Sequence, residues 1–337
     1  MTHIARRTRL LLVTDAWRPQ VNGVARTYEW LARALQGRVD VRMLTPEPFA
    51  RAPLPTYPEI GLALASPAQV ARLVRDASPD VVHIATEGPL GFLARLHCRR
   101  EGIPFTTCFH TRYPEYLARR APIPLAWSYA VLRRFHAASR RTLVATQELA
   151  VELRARGFGH VSTWRRGVDV AAFAHGNVEA FDLPRPLFLY VGRLAVEKSV
   201  EDFLALDLPG SKLVVGDGPE RARLQQAYPQ ARFLGAVAQP RLGAIYRAAD
   251  VFVFPSRTDT FGLVMAEALA AGAPVACRPS AGARAIFAGE TCGAMSEDLR
   301  AAAFAALEAS RETCRRVGAS HSLEASADAF LELVRTA

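Results

Sequence analysis

The sequence predicts an α/β protein with two doubly wound domains, each made of parallel strands covered by helices on both faces. Short apolar runs of strand length alternate with longer stretches whose apolar residues recur at helical spacing, which is typical of this fold class. The alternation begins again after Pro184 and Pro186. The chain has 337 residues, half of them hydrophobic, which suits two domains of about 150 residues with a core each.

The first half of the chain contains several apolar segments that are short enough to be strands. Between them lie stretches whose apolar residues recur every three or four positions, as on one face of a helix. Strands are therefore predicted at 9–14, 39–44, 81–85, 105–109 and 142–145, and helices at 23–36 and 67–76.

The second half repeats this pattern after a segment, 174–186, that is rich in turn-forming residues. We place the domain boundary there and divide the chain into domains 1–176 and 177–320. Residues 321–337 include a helical pattern at 323–334 that can pack on either domain, and we expect it to return to the first. The strands predicted in the second half are 187–191, 212–215, 231–234 and 251–254.

Charge is unevenly distributed along the chain, whose formal net charge is +10. Residues 1–178 contain 25 basic and 13 acidic side chains, whereas residues 179–337 contain 17 and 19. A basic first half favours an anionic partner, such as a membrane surface, a nucleic acid or a phosphorylated substrate, and an arginine-rich solvated surface is the alternative. The sequence has no RNA-recognition signature, zinc finger or lysine-rich tail, so we expect no nucleic-acid partner.

The remaining composition bears on the cellular compartment. No apolar run reaches the ~18 residues of a membrane span, and Asp15 interrupts the first apolar run too early for a signal peptide. The five cysteines include no Cys-x-x-Cys pair. We therefore expect reduced thiols, no zinc framework and a cytoplasmic location.

In each predicted domain one loop follows the first strand and leads into a helix, where backbone N–H groups can receive a phosphate. The first loop contains Asn22 and Gly23, and an ordinary turn capped by Asn22 is the alternative. The second loop places Arg193 and Lys198 five residues apart, where two cations can converge on a diphosphate or form a solvated pair.

Residues 215–221 begin like a dinucleotide-binding fingerprint, with Gly216 and Gly218. Arg221 stands where the third glycine belongs, and the preceding strand is not the first of its domain. We therefore reject NAD or FAD binding at this segment and predict a strand-to-helix turn.

The most informative segment follows the predicted strand at 251–254. A polar loop carries Asp259, Gly262 permits a tight turn, and the next predicted helix carries Glu267. Carboxylates accept two hydrogen bonds in one plane and so bind the hydroxyls of sugars and ribose well. The alternative is that the helix dipole favours Asp259 at the helix start and that Glu267 is partly buried.

Asp259 and Glu267 are eight positions apart and resemble the carboxylate-x7-carboxylate signature of retaining glycosyltransferases with the GT-B fold, although glutamate is more usual at the first position. The chain most resembles the GDP-mannose-dependent α-mannosyltransferases and the sulfoquinovosyl- and glucosyltransferases that form glycolipids. These also tend to carry a Thr-Asp-Thr-Phe-Gly run. Further segments that resemble the family, in its order, are 15–23, 109–116, 166–169, 192–198, 216–219 and 233–235.

The resemblance implies two Rossmann-like domains that face a central cleft. The second domain would hold a nucleotide-sugar, with Arg193 and Lys198 on its diphosphate and Glu267 on its ribose. The first domain would place His110 near the sugar, although a histidine at a strand end is by itself more often structural. The other roles implied are Asp259 with the backbone of Phe261, Gly262 and Leu263 on the sugar, Gly235 and Val237 near the base, Gly23 near the phosphate or acceptor, and Asn22 and Arg112 on the acceptor side.

The activity implied is retaining transfer of a mannose- or glucose-type hexose from a GDP- or UDP-sugar to a glycolipid, diacylglycerol-type or glycan acceptor. Arg193 and Lys198 can stabilise the departing nucleoside diphosphate. The chain has no Asp-x-Asp motif, the usual metal clamp of other glycosyltransferases, so we expect neither a metal nor a cofactor. The alternatives are another nucleotide-sugar enzyme on this fold, such as an epimerase, and an inactive nucleotide-sugar sensor.

Residues 112–141 mix basic with aromatic and aliphatic side chains, among them Arg119, Arg120, Trp127 and Arg134. Such a surface can rest on anionic lipid, and a core-facing helix with a charged outer side is the alternative. We therefore expect peripheral binding to the inner face of the membrane and a lipid acceptor.

Overall fold

The computed structural model describes residues 6–18, 20, 22–54, 57–118, 122–257 and 259–336. By its internal contacts the chain divides into two units. We call them unit 1, which is Met1–Arg165 with Glu324–Ala337, and unit 2, which is Arg166–Leu323. The described residues of each unit form a six-stranded sheet, as the repeated strand–helix alternation predicts.

The sheet of unit 1 is parallel, and five of its strands lie within one residue of the predicted bounds. A short edge strand, β8, and an antiparallel hairpin, β3–β4, were not predicted from the sequence. The strands are β1 (Arg9–Val13), β2 (Asp40–Leu44), β3 (Arg51–Leu54), β4 (Tyr57–Ala63), β5 (Val81–Ile84), β6 (Phe105–Cys108), β7 (Arg141–Val144) and β8 (Val161–Thr163). The order in the sheet is β2-β1-β5-β6-β7-β8.

Helices cover both faces of this sheet. Because successive side chains of a strand point to opposite faces, Leu10 and Leu12 of β1 pack with the first helix, while Leu11 and Val13 pack with the second and third. The helices are α1 (Gly23–Ala34), α2 (Pro67–Ala77), α3 (Pro89–Arg100), α4 (Tyr113–Ala118), α5 (Leu125–His136) and α6 (Gln147–Ala155).

The sheet of unit 2 is also parallel, and its first four strands lie within one residue of the predicted bounds. Its strands are β9 (Leu187–Val191), β10 (Ser211–Val215), β11 (Arg232–Gly235), β12 (Val251–Phe254), β13 (Val275–Cys277) and β14 (Gly293–Met295). The order in the sheet is β11-β10-β9-β12-β13-β14. The chain therefore winds first to one side of β9 and then to the other, as in a doubly wound nucleotide-binding sheet.

The helices of unit 2 again lie on both faces. Val251 and Val253 of β12 pack into one core cluster, whereas the ring of Phe252 meets Tyr246 on the other face, with centroids 5.6 Å apart. The helices are α7 (Val170–Ala174), α8 (Val200–Leu204), α9 (Arg221–Ala227), α10 (Gln239–Ala248), α11 (Leu263–Ala270), α12 (Ala281–Phe287), α13 (Leu299–Ala306) and α14 (Arg311–Ala319).

The division between the units differs from the boundary placed at 176/177. It falls after Arg165, because α7 packs against helices of unit 2. The ring of Phe173 in α7 lies 5.8 Å from that of Tyr246 in α10. Gly243 of α10 leaves no room for a side chain, since a Cβ there would lie 2.7 Å from the Ala172 carbonyl oxygen.

The last helix, α15 (Leu323–Arg335), packs its apolar face into unit 1. Phe330, Leu331 and Val334 share a core cluster with Leu10 and Leu12 of β1. The contact division therefore assigns residues from Glu324 onwards to unit 1.

All five cysteines are buried, and none forms a disulfide. Burial raises the pKa of the Cys98 and Cys277 thiols to about 12. Within the described ranges, no helix combines the length and the apolar character that crossing a bilayer would require.

Candidate functional site

The centre of the unit 2 sheet is the place where a ligand crevice is expected. β9 and β12 are neighbours, but the chain leaves β9 towards β10 and leaves β12 towards β13. The loops that follow β9 and β12 therefore diverge at the carboxyl edge of the sheet, which is where doubly wound folds bind ligands. These are the loops that carry Arg193, Lys198 and Asp259.

Lys198 and Asp259 meet at this edge. Lys198 Nζ lies 2.6 Å from Asp259 Oδ1, and the two side chains are only 20% and 19% exposed. Lys198 ends a short 3-10 helix, Val196–Lys198, that turns the chain from β9 into α8. The pair thus places a cation and a carboxylate together at the switch point of the sheet.

The second carboxylate oxygen of Asp259 is unsatisfied. Oδ2 is buried and has no hydrogen-bond partner in the described part of the chain, which omits the neighbouring Thr258. A buried oxygen of this kind normally has a donor, because leaving it without one costs about 1–3 kcal/mol. A ligand hydroxyl is a donor of the required type.

Arg193 lies on the same loop and is half buried. Its carbonyl oxygen accepts a hydrogen bond of 3.0 Å from the Tyr190 hydroxyl. Both cations predicted for the diphosphate therefore sit on the loop after β9.

Gly216 and Gly218 have a packing role in the turn after β10. A Cβ on Gly216 would lie 1.9 Å from the Gly192 carbonyl oxygen, and one on Gly218 would lie 2.4 Å from that of Leu194. The loop after β10 therefore lies against the loop after β9, and the Leu194 amide donates to the Asp217 carbonyl oxygen. The glycines support the loop that carries Arg193.

Gly235 ends β11 and Val237 follows it, two strands away from β9. With strands about 4.8 Å apart, that separation is about 10 Å along the carboxyl edge. The Gly216 amide donates to the Gly235 carbonyl oxygen at 2.8 Å, which joins this loop to the others. The spacing suits a nucleoside whose diphosphate lies over β9 and whose base lies over β11.

The loop after β12 ends at the N-terminus of α11. Gly262 has φ 82°, a left-handed conformation that side chains disfavour, and it turns the chain into the helix. The Met265 amide donates to the Gly262 carbonyl oxygen at 2.9 Å, so the N–H groups that precede the first hydrogen bond of α11 are the first two, starting at Leu263. Phe261 is buried, and a Cβ on Gly282 would lie 2.2 Å from its carbonyl oxygen. The neighbouring α12 thus holds this backbone in place.

Glu267 lies on α11 and is completely buried. Its Oε2 accepts a hydrogen bond of 3.0 Å from the Tyr246 hydroxyl of α10. The carboxylate is thus held in one orientation, and it is more deeply buried than the sequence suggested.

In unit 1, His110 follows β6 and is 4% exposed. Its Nε2 lies 2.7 Å from the Tyr28 hydroxyl, which is also 2.8 Å from His83 Nε2. The histidine is thus held by the buried Tyr28, which is held in turn by His83 of the same unit.

Asn22 is the N-cap of α1, as the alternative interpretation of its loop proposed. Its Oδ1 accepts hydrogen bonds from the amides of Val24 and Ala25 at 3.0 and 2.9 Å. Gly23 is the first residue of α1 and is exposed. The cap therefore uses the Asn22 oxygen and two of the first amides of α1 within the helix itself.

Arg112 is engaged in an ion-pair network inside unit 1. Its guanidinium contacts both carboxylate oxygens of Glu152, at 3.0 and 2.6 Å, and Glu115 at 3.3 Å. Burial opposes its charge, but the hydrogen bonds and charge of Glu152 outweigh burial and raise the pKa of Arg112. These contacts hold the guanidinium group of Arg112 within unit 1, and its place on the acceptor side stays a prediction.

Three residues of these sites were not found from the sequence: Tyr28, His83 and Tyr246. Each is buried. The hydroxyls of Tyr28 and Tyr246 contact the predicted site residues His110 and Glu267, and His83 contacts Tyr28. The signal in the sequence was a tyrosine or histidine on an otherwise apolar face. Such a side chain indicates a hydrogen bond in the core, because its buried polar atom requires a partner. The partner itself lies far away in sequence and could not be named.

The chain matches two family models along most of its length. "Glycosyltransferase Family 4" matches residues 21–172, and "Glycosyl transferases group 1" matches residues 185–310.

The chain is also similar to individual proteins of known name. A GDP-mannose-dependent alpha-mannosyltransferase of Mycobacterium tuberculosis is 33% identical over 303 residues, which cover 82% of this chain and 80% of the relative. An alpha-monoglucosyldiacylglycerol synthase of Acholeplasma laidlawii is 27% identical over 240 residues, or 61% of this chain and 60% of the relative. The crystal structure of Anabaena HepE in complex with UDP and glucose has a TM-score of 0.73 at 14% identity, over 98% of this chain and 100% of that one. The fold is therefore shared along nearly the whole chain.

Proposed function

The chain belongs to the glycosyltransferases of family 4 and group 1, with the GT-B fold, and we propose that it moves a hexose from a nucleotide-sugar to a lipid acceptor with retention and without a metal ion. The relatives that carry out mannosyl and glucosyl transfer support a hexose donor. Within that class we favour GDP-mannose, because the mannosyltransferase is similar over four-fifths of both chains.

The observation that carries the proposal is the Lys198–Asp259 pair at the switch point of unit 2. When the glycosidic bond to the diphosphate breaks, negative charge develops on the leaving phosphate oxygen. A fixed cation at that point stabilises the transition state more than the ground state. Lys198 is suited to this task, and the buried Oδ2 of Asp259 is suited to accept a hydrogen bond from a sugar hydroxyl.

Arg193 and the N-terminus of α11 complete the proposed donor site. Arg193 would bind the diphosphate as a second cation, so that side chains supply the charge that a metal supplies in other enzymes. The backbone N–H groups of Phe261, Gly262 and Leu263 would bind the sugar, and Glu267 the ribose. Retention would follow from attack on the face that the diphosphate leaves, with a diphosphate oxygen as base.

Thermal unfolding in the presence of EDTA tests the donor site. We expect GDP and GDP-mannose to stabilise the protein by about 2.7 kcal/mol at a concentration one hundred times the dissociation constant. ADP serves as the control nucleotide. A rise in unfolding temperature with UDP alone would replace guanine by uracil as the base of the proposed donor. A rise that requires magnesium would contradict metal independence.

Product analysis then tests the reaction itself. Incubation with GDP-mannose, diacylglycerol-type acceptor and EDTA should yield an α-linked glycolipid. Conversion of the donor sugar without any acceptor would favour an epimerase-like enzyme. Binding of the donor without any turnover would favour a sensor.

The proposed acceptor side is an exposed surface on α4 and α5, which we call the α4–α5 surface. Tyr129, Leu132 and Phe135 of α5 face the core, so one side of the helix is structural. The other side exposes Trp127, which is 73% accessible, and Val131 beside arginines. The exposed members of the surface are Leu117, Ile123, Leu125, Trp127, Val131, Arg133 and Arg134, whereas Arg119 and Arg120 lie outside the described residues.

An exposed apolar patch with arginines fits an anionic lipid surface. The diacylglycerol in the name of one relative supports the same kind of acceptor. Trp127→Ala and Arg134→Glu should each weaken binding to vesicles of anionic phospholipid at low salt. Val178→Ala and Arg232→Glu, two exposed positions of unit 2, are the matched controls. Equal binding by all four variants would exclude this surface as the lipid contact, and no binding of the wild type to these vesicles would favour a soluble glycan as the acceptor.

A further inference from the structure

A chain of buried polar side chains runs behind His110 in unit 1. The Tyr28 hydroxyl lies between His110 Nε2, at 2.7 Å, and His83 Nε2, at 2.8 Å. His83 Nδ1 in turn lies 2.8 Å from Thr106 Oγ1. Tyr28 and His83 are fully buried, and Thr106 and His110 are nearly so. We call these four side chains the His110 relay.

The direction of the hydrogen bonds follows from the protons that each group can give. The Thr106 hydroxyl has an acceptor in the Val82 carbonyl oxygen at 3.5 Å, so it can accept from His83 Nδ1 at 2.8 Å, and we take this direction. Burial lowers the pKa of His83 to about 3, so near pH 7 its ring is neutral and has a single N–H. His83 Nε2 therefore accepts, and the Tyr28 hydroxyl donates to it.

Tyr28 has one hydroxyl proton, which it donates to His83 Nε2. Its oxygen must then accept from His110 Nε2. We propose that Tyr28, His83 and Thr106 are positioning residues that fix His110 with its proton on Nε2 and its acceptor lone pair on Nδ1. The hydrogen bond on one ring nitrogen sets the state of the other.

The chemical consequence concerns Nδ1. His110 Nε2 is a donor in the neutral ring and in the charged ring alike, so a proton can join or leave Nδ1 without disturbing the relay. If His110 Nε2 instead accepted from the Tyr28 hydroxyl, protonation of Nε2 would place two donors against each other. The Tyr28 hydroxyl would then have to turn away. The inference rests on the proposed function, because the role of His110 near the sugar is the one that the family resemblance implies.

Aromatic rings protect the relay from competing water. Trp164 lies edge-on to the His110 ring, with centroids 6.4 Å apart. Phe330 of α15 lies edge-on to the His83 ring at 5.0 Å. A buried chain of hydrogen bonds is stronger where water cannot compete, so these contacts help to hold one polarity.

Nitrogen NMR of the full chain with ¹⁵N-labelled histidine tests the tautomer directly. We expect the His110 resonances, assigned by their loss in His110→Gln, to show a bonded proton on Nε2 and none on Nδ1 at pH 7.5. A proton on Nδ1 would overturn the proposal. In Tyr28→Phe, which removes only the linking oxygen, both tautomers should appear; an unchanged tautomer would refute the role of Tyr28.

Thr106→Val tests the relay from its far end, in case Tyr28→Phe does not fold. It should also populate the second tautomer, whereas Thr142→Val, a buried threonine on the neighbouring strand, should not. In transfer assays we expect Tyr28→Phe and Thr106→Val to lower kcat about tenfold or more, the size of one lost hydrogen bond. The donor KM should stay within twofold.

The two readouts separate the possible failures. If no donor is turned over by the wild type, the proposed function fails while NMR still decides the tautomer. If the tautomer is as expected but both variants retain the wild-type kcat, the relay is structural and the positioning role is wrong.

Discussion

Among single residues, Lys198 is the one whose ion pair carries the proposed function. In the described structure its charge is balanced by Asp259 at 2.6 Å. A diphosphate that reaches Lys198 would compete with Asp259 for the ammonium group, and Asp259 would turn to the sugar. On the proposed function, this exchange of partners is complete once the donor is bound, so little reorganisation is left for the step in which charge develops.

Lys198→Ala should therefore lower kcat by about two to three orders of magnitude, the cost of removing one fixed donor from a developing charge. The second lysine of the chain is a matched control, because Lys212 Nζ donates to the carbonyl oxygens of Leu204 and Leu206. Lys212→Ala should cost stability, about 1–3 kcal/mol, and leave kcat unchanged. Steady-state kinetics and thermal unfolding of both variants check this, and a wild-type rate for Lys198→Ala would remove Lys198 from the site.

His83 predicts a measurable pH dependence of stability. Its pKa is about 3 in the folded chain, whereas an unfolded histidine titrates near pH 6.5. Below about pH 6.5 the unfolded state binds a proton that the folded state does not, so stability is present at neutral pH and is lost as the pH falls. One such proton contributes a slope of about 1.4 kcal/mol per pH unit.

His83→Asn removes this titration. The variant should be less stable than the wild type at pH 7, and the difference in the free energy of unfolding should shrink between pH 6 and 4.5. The exposed His160→Asn is the control and should follow the wild-type curve. Denaturant titrations at several pH values give these slopes, and parallel curves for wild type and His83→Asn would contradict the prediction.

At the scale of elements, the loops after β9 and β12 are placed by their neighbours. Gly216 and Gly218 let the loop after β10 support the one after β9. The loop after β12 depends on Gly262, which turns it into α11 with φ 82°. A side chain there would be strained by the left-handed backbone, and its Cβ would lie 2.6 Å from Met265 Cε.

Gly262→Ala and Gly289→Ala form a matched pair for this element. Gly289 has nearly the same φ, 86°, but no described atom lies within 4 Å of a Cβ built there. Both variants should lose about 1–2 kcal/mol of stability through backbone strain. Only Gly262→Ala should also raise the donor KM, because it moves the N–H groups at the start of α11. Equal donor KM values in the two variants would separate this turn from donor binding.

For the whole molecule, the chain is interleaved: it begins in unit 1, forms unit 2 and ends with α15 back in unit 1. Phe330 of α15 is completely buried and touches both His83 and Trp164. The last helix therefore contributes to the core behind His110.

Phe330→Ala should destabilise unit 1 by about 3–5 kcal/mol, the usual cost of emptying a buried phenylalanine site. Phe203→Ala, an equally buried change in unit 2, is the counterpart. In calorimetry with nucleotide present, we expect Phe330→Ala to lower the transition that nucleotide leaves unshifted, and Phe203→Ala to lower the one that nucleotide raises. If both variants lowered the temperature of the same transition, the prediction that the two units unfold separately would be wrong.

The sequence alone determined the features that depend on neighbouring residues. The bounds of β9 and β12, the capped start of α1 and the turn at Gly262 follow from local periodicity and turn chemistry. It also indicated which loops carry the candidate donor site, because loops at the carboxyl ends of parallel strands share an edge. The family resemblance of segments in both halves of the sequence also indicated the GT-B glycosyltransferases, and the comparisons confirm this family.

Only the tertiary structure decided which of these residues meet. Lys198 and Asp259 are 61 positions apart and come together because β9 and β12 are neighbours in the sheet. The Tyr28–His83 contact, the burial of Glu267 against Tyr246 and the return of α15 to unit 1 likewise join distant segments. Periodicity reports which side of an element is buried, but strand order and helix packing are set by the whole chain, so the partner of a buried polar group cannot be inferred from its neighbours in sequence.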